Sequence, residues 1–264
     1  QARFDGSRWH IRTDQGVEDS AEFFVAATGP LHVPAIPKLP GLEGFQGPSF
    51  HTARWPQELD LKGKRVGVIG TGSSGTQVIT ALAQDGVDLT VFMRTPQWIF
   101  PLMNRRYGRA ERGLIKRFPW IGRTTGRFFQ WFFERVFAEA VIRPGWQRKL
   151  LQGGCRWNLT RVKDPQLRGK LTPNFEPLCK RLVMSWDYYP AVAQPNVKIV
   201  RADVARVEPQ AVVDGDGNTH PLDVLILATG FDTRAYFRPI EVFNERGDSV
   251  SDIWKQQAGA HLST

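Results

Sequence analysis

Three glycines in the pattern G-x-G-x-x-G constrain the fold of this chain more than any other feature. They follow the apolar run 65–69 and precede residues 76–84, whose apolar side chains recur with helical spacing. In that setting Gly70 allows a tight turn, Gly72 lets the backbone approach a pyrophosphate, and Gly75 lets a helix pack closely on a strand. The helix N-terminus then offers free N–H groups and its positive dipole end to phosphates. We therefore predict a βαβ unit that binds a dinucleotide, rather than a glycine turn of an unrelated α/β protein, with this loop: Gly70, Thr71, Gly72, Ser73, Ser74 and Gly75.

The strand after this helix indicates which dinucleotide binds. An NAD site has an Asp or Glu about 20 residues after the glycines, where it binds the ribose 2′-hydroxyl. Here Arg94 stands at the end of the second strand, 19 residues after Gly75. A guanidinium pairs with a 2′-phosphate, which a carboxylate would repel. We predict NADPH rather than NADH, with Arg94 and Thr95 among the residues that bind it; the alternative for Arg94 is a solvated surface side chain.

The net charge of +9 is unevenly distributed along the chain. Residues 102–170 show no strand pattern and hold 17 Lys and Arg against 4 Asp and Glu, a local charge of +13. Such a segment is typical of a nucleic-acid patch, or of a helix that rests on an anionic membrane surface. We favour a helical insertion with an arginine-rich solvent face and a buried aromatic face, keep membrane-surface contact as the alternative, and predict no nucleic-acid partner. The aromatic residues of this segment include Phe128, Phe129, Trp131, Phe132, Phe133 and Phe137.

The two cysteines, Cys155 and Cys179, are too few for a disulfide framework or a cysteine-based metal site. They are typical of a reducing cytoplasm, in which thiols stay free. No apolar run reaches the roughly 18 residues that a membrane-spanning helix needs. We predict a cytoplasmic protein without a bound metal.

Strand patterns and prolines divide the chain into segments. The N-terminal segment has the pattern of a hairpin followed by an apolar strand at residues 22–27. The next segment holds six prolines, which exclude regular helix and indicate a stiff connection. Later strands are predicted at residues 197–200 and 223–227. The predicted segments are 1–29, 30–61, 62–206 with the helical insertion 102–170, and 207–264.

The proline-rich connection also carries a longer motif. The pattern F-x-G-x-x-x-H-x-x-x-W-P is matched at every specified position: Phe45, Gly47, His51, Trp55 and Pro56. The motif lies between a strand that ends in Ala-Thr-Gly and the glycine loop, and a second strand with the same ending follows near residue 230. In this order of motifs, the chain resembles the type I Baeyer–Villiger monooxygenases, which are flavin-dependent (class B) monooxygenases. The resemblance extends over essentially the whole chain.

The resemblance implies an α/β protein: a Rossmann-like NADPH-binding domain with a helical insertion, flanked by parts of a second, FAD-binding Rossmann-like domain. Residues 1–29 and 207–264 would belong to the FAD-binding domain. The implied cofactors are FAD and NADPH, and the implied reactants are O2 and a small carbonyl compound, which becomes an ester or lactone. Flavin monooxygenases that oxidise amine nitrogen or sulfur remain an alternative, as does a basic helical module that binds membranes or nucleic acid.

The resemblance also assigns roles to individual residues. It places Lys180 on the 2′-phosphate beside Arg94, and it makes Arg181 the catalytic residue at the flavin–nicotinamide site. A guanidinium stays charged at any working pH, so it can stabilise an oxyanion there; the alternative is an ordinary basic loop. The motif residues Phe45 to Pro56 would form a hinge between domains. The two Ala-Thr-Gly strand ends would contact cofactors, through Thr28, Gly29, Thr229 and Gly230.

One component of such an enzyme is missing from this sequence. No G-x-G-x-x-G precedes Gly70, so the loop that would bind FAD is absent. We therefore expect an internal fragment that binds FAD poorly or not at all and is inactive alone. A disulfide reductase would need two closely spaced cysteines, and Cys155 and Cys179 lie too far apart in the sequence.

Overall fold

The computed structural model describes residues 1–104 and 106–255, and the chain divides into two compact units. The first unit contains residues 1–35 and the chain from residue 230 onward, and the second contains residues 36–229.

The strands are β1 (Ala2–Phe4), β2 (Trp9–Arg12), β3 (Glu18–Ala21), β4 (Ser49–His51), β5 (Arg65–Ile69), β6 (Asp88–Phe92), β7 (Ile99–Phe100), β8 (Val183–Met184), β9 (Val197–Val200), β10 (Val204–Glu208), β11 (Ala211–Asp214), β12 (Thr219–Pro221), β13 (Val224–Leu227) and β14 (Val242–Phe243). The α-helices are α1 (Ser73–Gln84), α2 (Arg109–Arg117), α3 (Pro119–Phe133), α4 (Glu139–Ile142), α5 (Trp146–Leu159), α6 (Pro165–Leu171), α7 (Tyr188–Val192) and α8 (Val250–Ile253). A π-helical turn, Glu134–Ala138, joins α3 to α4.

The first unit is built on a four-stranded sheet in the order β14-β1-β2-β3. The turn between β1 and β2 forms because the Asp5 carboxylate accepts hydrogen bonds from the backbone N–H groups of Ser7 and Arg8, both at 2.8 Å. The same carboxylate contacts His10 Nε2 at 2.7 Å. These hydrogen bonds hold the pKa of Asp5 well below its ordinary value, and the bond from the Arg8 N–H has the largest effect. The hairpin predicted at the start of the chain is confirmed.

The strand predicted at residues 22–27 does not form. Its apolar side chains are largely exposed, Phe23 at 82% and Val25 at 84%. Within the described residues, this segment pairs with no strand of either unit. An apolar run becomes a strand only where a neighbour satisfies its backbone hydrogen bonds. Local apolar character was therefore not enough to predict it.

The second unit contains a five-stranded parallel sheet in the order β4-β13-β5-β6-β9. The predicted βαβ unit is confirmed as β5, α1 and β6, and the later predicted strands are β9 and β13. Both faces of the sheet are covered, so its strands are nearly continuous apolar runs. Val224 and Ile226 of β13 pack in the core cluster that includes α1, whereas Leu225 and Leu227 pack in the cluster that includes the β10–β12 sheet.

This sheet corrects two predicted boundaries. β4 lies within the predicted connection 30–61, yet it pairs in parallel with β13. β13 lies within the predicted segment 207–264, yet it pairs with β5 along its whole length. The prolines of the connection exclude helix, but β4 contains none and can therefore form an edge strand. Residues 36–61 and 207–229 consequently belong to the second unit, while the assignment of the units to FAD and NADPH stays a prediction.

The antiparallel sheet β10-β11-β12 contains a buried polar cluster. His220 Nε2 lies 2.9 Å from Asp214 Oδ2, and the two side chains are 5% and 3% exposed. The hydrogen bond with His220 is the main cause that lowers the pKa of Asp214 to about 2. Lys198 Nζ of β9 lies 3.3 Å from His220 Nδ1, and the Phe92 ring of β6 packs edge-on against the imidazole at 5.3 Å. The cluster therefore joins this small sheet to the parallel sheet.

The predicted insertion at residues 102–170 is helical, and its described part contains α2 to α6 and no strand. α5 anchors it, because Leu151 and Cys155 are buried and Asn158 Nδ2 donates to the Ile99 carbonyl oxygen at 3.1 Å. By contrast, α2 and α3 bury none of their residues. The predicted buried aromatic face is therefore wrong for α3, where the rings of Phe128, Phe129 and Trp131 pack on one another at the surface.

Candidate dinucleotide-binding site

The loop between β5 and α1 is shaped by its three glycines. Gly70 has a φ of +104°, and a Cβ there would lie 2.4 Å from the Ala228 carbonyl oxygen. A Cβ on Gly75 would lie 2.4 Å from the Gly70 carbonyl oxygen. Both contacts are too close for a larger residue without movement of the backbone. A Cβ on Gly72 would meet no atom within 4 Å, so the space over this residue is open to a ligand.

The start of α1 has the properties of an anion-binding site. Gly72 is the N-cap residue, no side chain caps the helix, and its first turn holds no acidic residue. The first N–H groups of a helix lack partners inside it, and the helix dipole adds partial positive charge. Ser73 and Ser74 are exposed. Thr71 is buried, and its carbonyl oxygen accepts a 3.4 Å hydrogen bond from Thr76 Oγ1, which helps to fix the loop. The first backbone N–H groups of this twelve-residue helix therefore lie at exposed residues.

Arg94 lies at the same edge of the sheet as the glycine loop, because β5 and β6 are parallel neighbours and both features follow them. Its side chain is 80% exposed, and its Nε lies 3.8 Å from Asp203 Oδ1. The Met93 N–H donates to the Val200 carbonyl oxygen at 2.9 Å, which holds the ends of β6 and β9 together. Thr95 follows and is half-buried. A guanidinium that is this exposed can bind an anionic ligand. The contact with Asp203 was not indicated by any feature of the sequence.

Lys180 and Arg181 lie on a segment next to that of Arg94. They precede β8, which pairs in parallel with β7. Trp98 Nε1 donates to the Phe175 carbonyl oxygen at 2.6 Å, and Lys180 Nζ lies 4.5 Å from the centroid of the Phe175 ring. These contacts join the two segments at Trp98, four residues after Arg94, and at Phe175, five residues before Lys180. Lys180 and Arg181 are both exposed.

The turn before Lys180 contains a feature that the sequence did not signal. Leu178 has a φ of +76°, in the left-handed region that residues with a Cβ rarely adopt. The next N–H, that of Cys179, donates to the Glu176 carbonyl oxygen at 3.1 Å, and the Glu176 carboxylate pairs with Arg156 of α5. The neighbouring helix therefore helps to hold this strained turn, and with it the position of Lys180.

Two motif residues fix the connection against β13. Phe45 is buried in the core cluster that contains Leu225 and Leu227. A Cβ on Gly47 would lie 2.1 Å from the Asp223 carbonyl oxygen, so only glycine allows this approach. These two positions let β4 add to the edge of the parallel sheet.

The remaining motif residues surround the end of β4. His51 is 2% exposed, and its Nδ1 accepts a hydrogen bond from the Ala53 N–H at 3.2 Å. Trp55 is partly exposed and packs edge-on against Phe50, with ring centroids 5.1 Å apart. Pro56 is exposed. Within the second unit the motif therefore builds an edge strand, and its predicted role as a hinge stays a prediction.

The two Ala-Thr-Gly ends lie in different surroundings. Thr229 follows β13 and stands beside the glycine loop, because the preceding carbonyl group packs against Gly70. In the first unit, Thr28 Oγ1 donates to the Tyr236 carbonyl oxygen at 2.6 Å. The glycines of the two ends have positive φ angles, +67° at Gly29 and +82° at Gly230. Their predicted contacts with cofactors stay a prediction.

Neither thiol lies in a cluster of metal ligands. Within residues 1–104 and 106–255, no group of three His, Cys, Asp or Glu side chains is placed to hold a metal ion. Both cysteines are free, and they differ in environment. Burial raises the pKa of Cys155 to about 12, whereas Cys179 is exposed.

Comparison with known proteins identifies relatives along nearly the whole chain. The sequence model of the flavin-binding monooxygenase-like family matches residues 4–243. An uncharacterised monooxygenase of Mycobacterium tuberculosis is 44% identical over 260 residues, which are 98% of this chain and 52% of that protein. A Baeyer–Villiger monooxygenase of Streptomyces coelicolor is 35% identical over 249 residues, 94% of this chain and 48% of that protein. The chain thus spans about half the length of these curated relatives.

Solved structures agree with this relationship. The crystal structure of cyclohexanone monooxygenase from Rhodococcus sp. Phi1 bound to NADP+ matches with a TM-score of 0.80 and 34% identity, over 97% of this chain and 55% of that one. An open crystal structure of cyclohexanone monooxygenase matches with a TM-score of 0.82 and 33% identity, over 99% of this chain and 59% of that one. The predicted α/β fold and the resemblance are confirmed. The family match also explains why the glycine loop, the H-x-x-x-W-P motif and the Ala-Thr-Gly strand ends occur together in one sequence: the chain belongs to the flavin-binding monooxygenase-like family.

Proposed function

We propose that this chain is the NADPH-binding part of a monooxygenase that uses FAD, NADPH and O2 to convert a ketone into an ester or lactone. The observation that carries the proposal is the open space over Gly72, at a helix start whose sheet edge also presents Arg94. The similarity to Baeyer–Villiger monooxygenases and to a structure that contains NADP+ supports it.

The residues present fit NADPH. The pyrophosphate would lie over Gly72 and accept hydrogen bonds from the first N–H groups of α1, with Ser73 and Ser74 beside it. Arg94 and Lys180 would hold the 2′-phosphate from two adjacent segments. Charge-assisted hydrogen bonds of this kind contribute about 1.5–3 kcal/mol each, which is enough to favour NADPH over NADH. The other proposed contacts of this cofactor are Thr71 and Thr95.

The fit to FAD is incomplete. The sequence contains one G-x-G-x-x-G loop, and we assign that loop to NADPH. The other proposed cofactor contacts, Thr28, Gly29, Thr229 and Gly230, supply strand ends but no second phosphate-binding loop. We therefore expect the 264-residue chain to bind FAD poorly or not at all and to be inactive alone.

Arg181 is the proposed catalytic residue. Bound flavin, reduced by NADPH, supplies the chemistry that activates O2. The Arg181 guanidinium would hold the negative charge that develops on oxygen when the carbonyl carbon is attacked. Its charge does not depend on pH in the working range. Arg181 is exposed and follows Lys180 directly in the sequence, which supports this role.

A carbonyl substrate is favoured over an amine or a thioether. The H-x-x-x-W-P motif is complete from Phe45 to Pro56, and relatives at 35% and 36% identity are Baeyer–Villiger monooxygenases.

The free thiols of Cys155 and Cys179 favour the cytoplasm as the compartment. No nucleic-acid partner is part of this proposal.

Calorimetric titration with 2′,5′-ADP and with 5′-AMP tests the proposal, since the two nucleotides differ by the 2′-phosphate. We expect the chain to bind 2′,5′-ADP about 10- to 100-fold more tightly. Equal affinities, or no binding of either, would contradict the proposal.

Incubation with FAD, NADPH and a cyclic ketone should yield no lactone from this chain. Stoichiometric FAD binding, or any oxidation by this chain, would contradict the expected lack of an FAD site; a chain that oxidises a thioether but no ketone would in addition favour the alternative reaction.

A further inference from the structure

Helix α3 presents a row of large aromatic side chains to solvent. Trp120, Phe128 and Trp131 are 60%, 58% and 56% exposed. At 100° per residue the three lie within about 80° of one another around the helix axis. The rings of Phe128 and Trp131 are in contact, with centroids 6.2 Å apart. We call these three residues the aromatic face of α3.

Cations accompany this face, and acidic residues are absent from its surroundings in sequence. Between Glu111 and Glu134 the chain has five basic residues and no acidic residue: Arg112, Lys116, Arg117, Arg123 and Arg127. Arg127 stands seven residues after Trp120 and four before Trp131, which are the spacings of neighbours on one side of a helix. Since α2 and α3 bury none of their residues, these charges lie at the surface.

The excess positive charge of the chain lies entirely in this insertion. The whole chain carries +9, and residues 102–170 carry +13, so the remaining residues carry −4 (18 basic against 22 acidic). A charge distribution of this kind turns the insertion toward any large anionic surface during approach. The acidic remainder would be repelled from the same surface. Charge therefore attracts the insertion, and not the rest of the chain, to such a surface.

We propose that the α2–α3 insertion binds the surface of membranes that contain anionic lipids. Trp rings favour the headgroup region because they combine a large apolar body with a polar N–H. Arginines beside them would bind the anionic headgroups, as on other interfacial helices. None of the described helices is long and apolar enough to cross a bilayer, so α3 would lie along the surface. The cytoplasmic leaflet carries the anionic lipids that this surface needs.

Two other partners fit the surface less well. A second copy of the chain would bring two sets of five cations together, which costs electrostatic energy. Single-stranded nucleic acid would stack its bases on open rings, yet Phe128 and Trp131 already pack against each other. Both partners give results in the experiment that differ from those expected for a membrane.

Co-sedimentation of the full chain with lipid vesicles tests the proposal. We expect binding to vesicles of phosphatidylcholine with phosphatidylserine, and at least about tenfold weaker binding to phosphatidylcholine alone. Raising the salt concentration should weaken binding to the anionic vesicles, because it screens exposed charges. Equal binding to both vesicles, or no binding to either, would overturn the proposal.

Two double variants separate the contributions of charge and aromatic rings. Arg123→Gln with Arg127→Gln should weaken binding to anionic vesicles about 10- to 30-fold, and Trp120→Gln with Trp131→Gln should weaken it by a similar factor. Because all four side chains are exposed, thermal unfolding should be unchanged.

The matched control is Lys62→Gln with Lys64→Gln, which removes two exposed charges outside the insertion and should leave vesicle binding within about twofold of the original chain. A control variant that loses as much binding as the arginine variant would show attraction to net charge alone and would overturn the proposal. So would self-association that the tryptophan variant abolishes, or single-stranded DNA that binds while vesicles do not.

Discussion

Replacing Gly72 with alanine separates the ligand-binding role of the glycine loop from its structural role. Gly72 has φ −69° and ψ −169°, a conformation that alanine adopts readily. A Cβ there would meet no atom within 4 Å. Gly-to-Ala changes at compatible positions alter stability by under about 1 kcal/mol, and the weaker N-cap preference of alanine opposes the gain. We therefore expect the free energy of unfolding to stay within about 1 kcal/mol of its original value.

The same methyl group would occupy the space where the pyrophosphate is proposed to lie. Close approach of the backbone to the pyrophosphate is what the second glycine of this motif provides. Losing that approach should raise the Kd for NADP+ by about tenfold or more, which corresponds to at least about 1.4 kcal/mol. The Gly72→Ala variant should thus fold normally and bind NADP+ poorly.

The matched variant is Gly75→Ala, where the same methyl group has no room. Its Cβ would lie 2.4 Å from the Gly70 carbonyl oxygen and 3.3 Å from the Ala228 side chain. Overpacking of this kind costs about 1–3 kcal/mol. For a chain of this size each kcal/mol lowers Tm by about 2–4 °C, so we expect a fall of roughly 2–12 °C.

Thermal unfolding by circular dichroism and calorimetric titration with NADP+ measure the two effects on the same samples. A Gly72→Ala variant that binds NADP+ like the original chain would refute the position proposed for the pyrophosphate. A Gly75→Ala variant with an unchanged Tm would refute the packing argument. If Gly72→Ala loses as much Tm as Gly75→Ala, the two roles are not separable and the reasoning fails.

Three further predictions follow from the charges and thiols of the chain. Arg94→Gln should weaken binding of NADP+ about 10- to 100-fold and leave binding of NAD+ nearly unchanged, as calorimetry would show, because only NADP+ carries the 2′-phosphate. Arg65, chiefly through its side-chain hydrogen bond, lowers the pKa of Asp223 to about 2, so the stability that this carboxylate contributes is present above pH ~4 and lost as the pH falls toward 2. Denaturant midpoints at several pH values should therefore fall less steeply across that window in Asp223→Asn, and equal slopes would contradict the coupling. Cys179 should react quickly with a thiol reagent, whereas Cys155 should react only after unfolding. Fast reaction of both thiols in the folded chain would contradict the burial of Cys155.

The βαβ unit could be predicted because its signals are local. The apolar run of β5, the glycine spacing and the helical period of α1 lie within residues 65–84. Each glycine also has a local steric reason that any sequence with this motif shares. The motif from Phe45 to Pro56 indicated the family for a different reason, namely its similarity to known enzymes.

The boundaries could not be predicted because strand pairing is a long-range property. Arg65 pairs with Asp223, which is 158 residues away in the sequence, and this contact holds the start of β13 against β5. The local pattern of β13 shows a buried strand, but it does not show which sheet the strand joins. The apolar run 22–27 was predicted as a strand from its local pattern, but no strand of the described residues pairs with it, so the strand does not form.

The same distinction explains the site and the insertion. Arg94 could be assigned from its distance to the glycines, but the contact of its segment with that of Lys180 depends on the pairing of β7 with β8 and on Trp98. The strained φ of Leu178 depends on the surrounding structure, which no local pattern records. In α3 the aromatic and basic residues predict an amphipathic helix, and the sequence does not say what lies against its apolar side. The insertion 102–170 carries a charge of +13, and α2 and α3 hold six of its basic residues beside the exposed rings, so a partner of this face would meet both aromatic rings and cations. An anionic lipid surface meets both conditions.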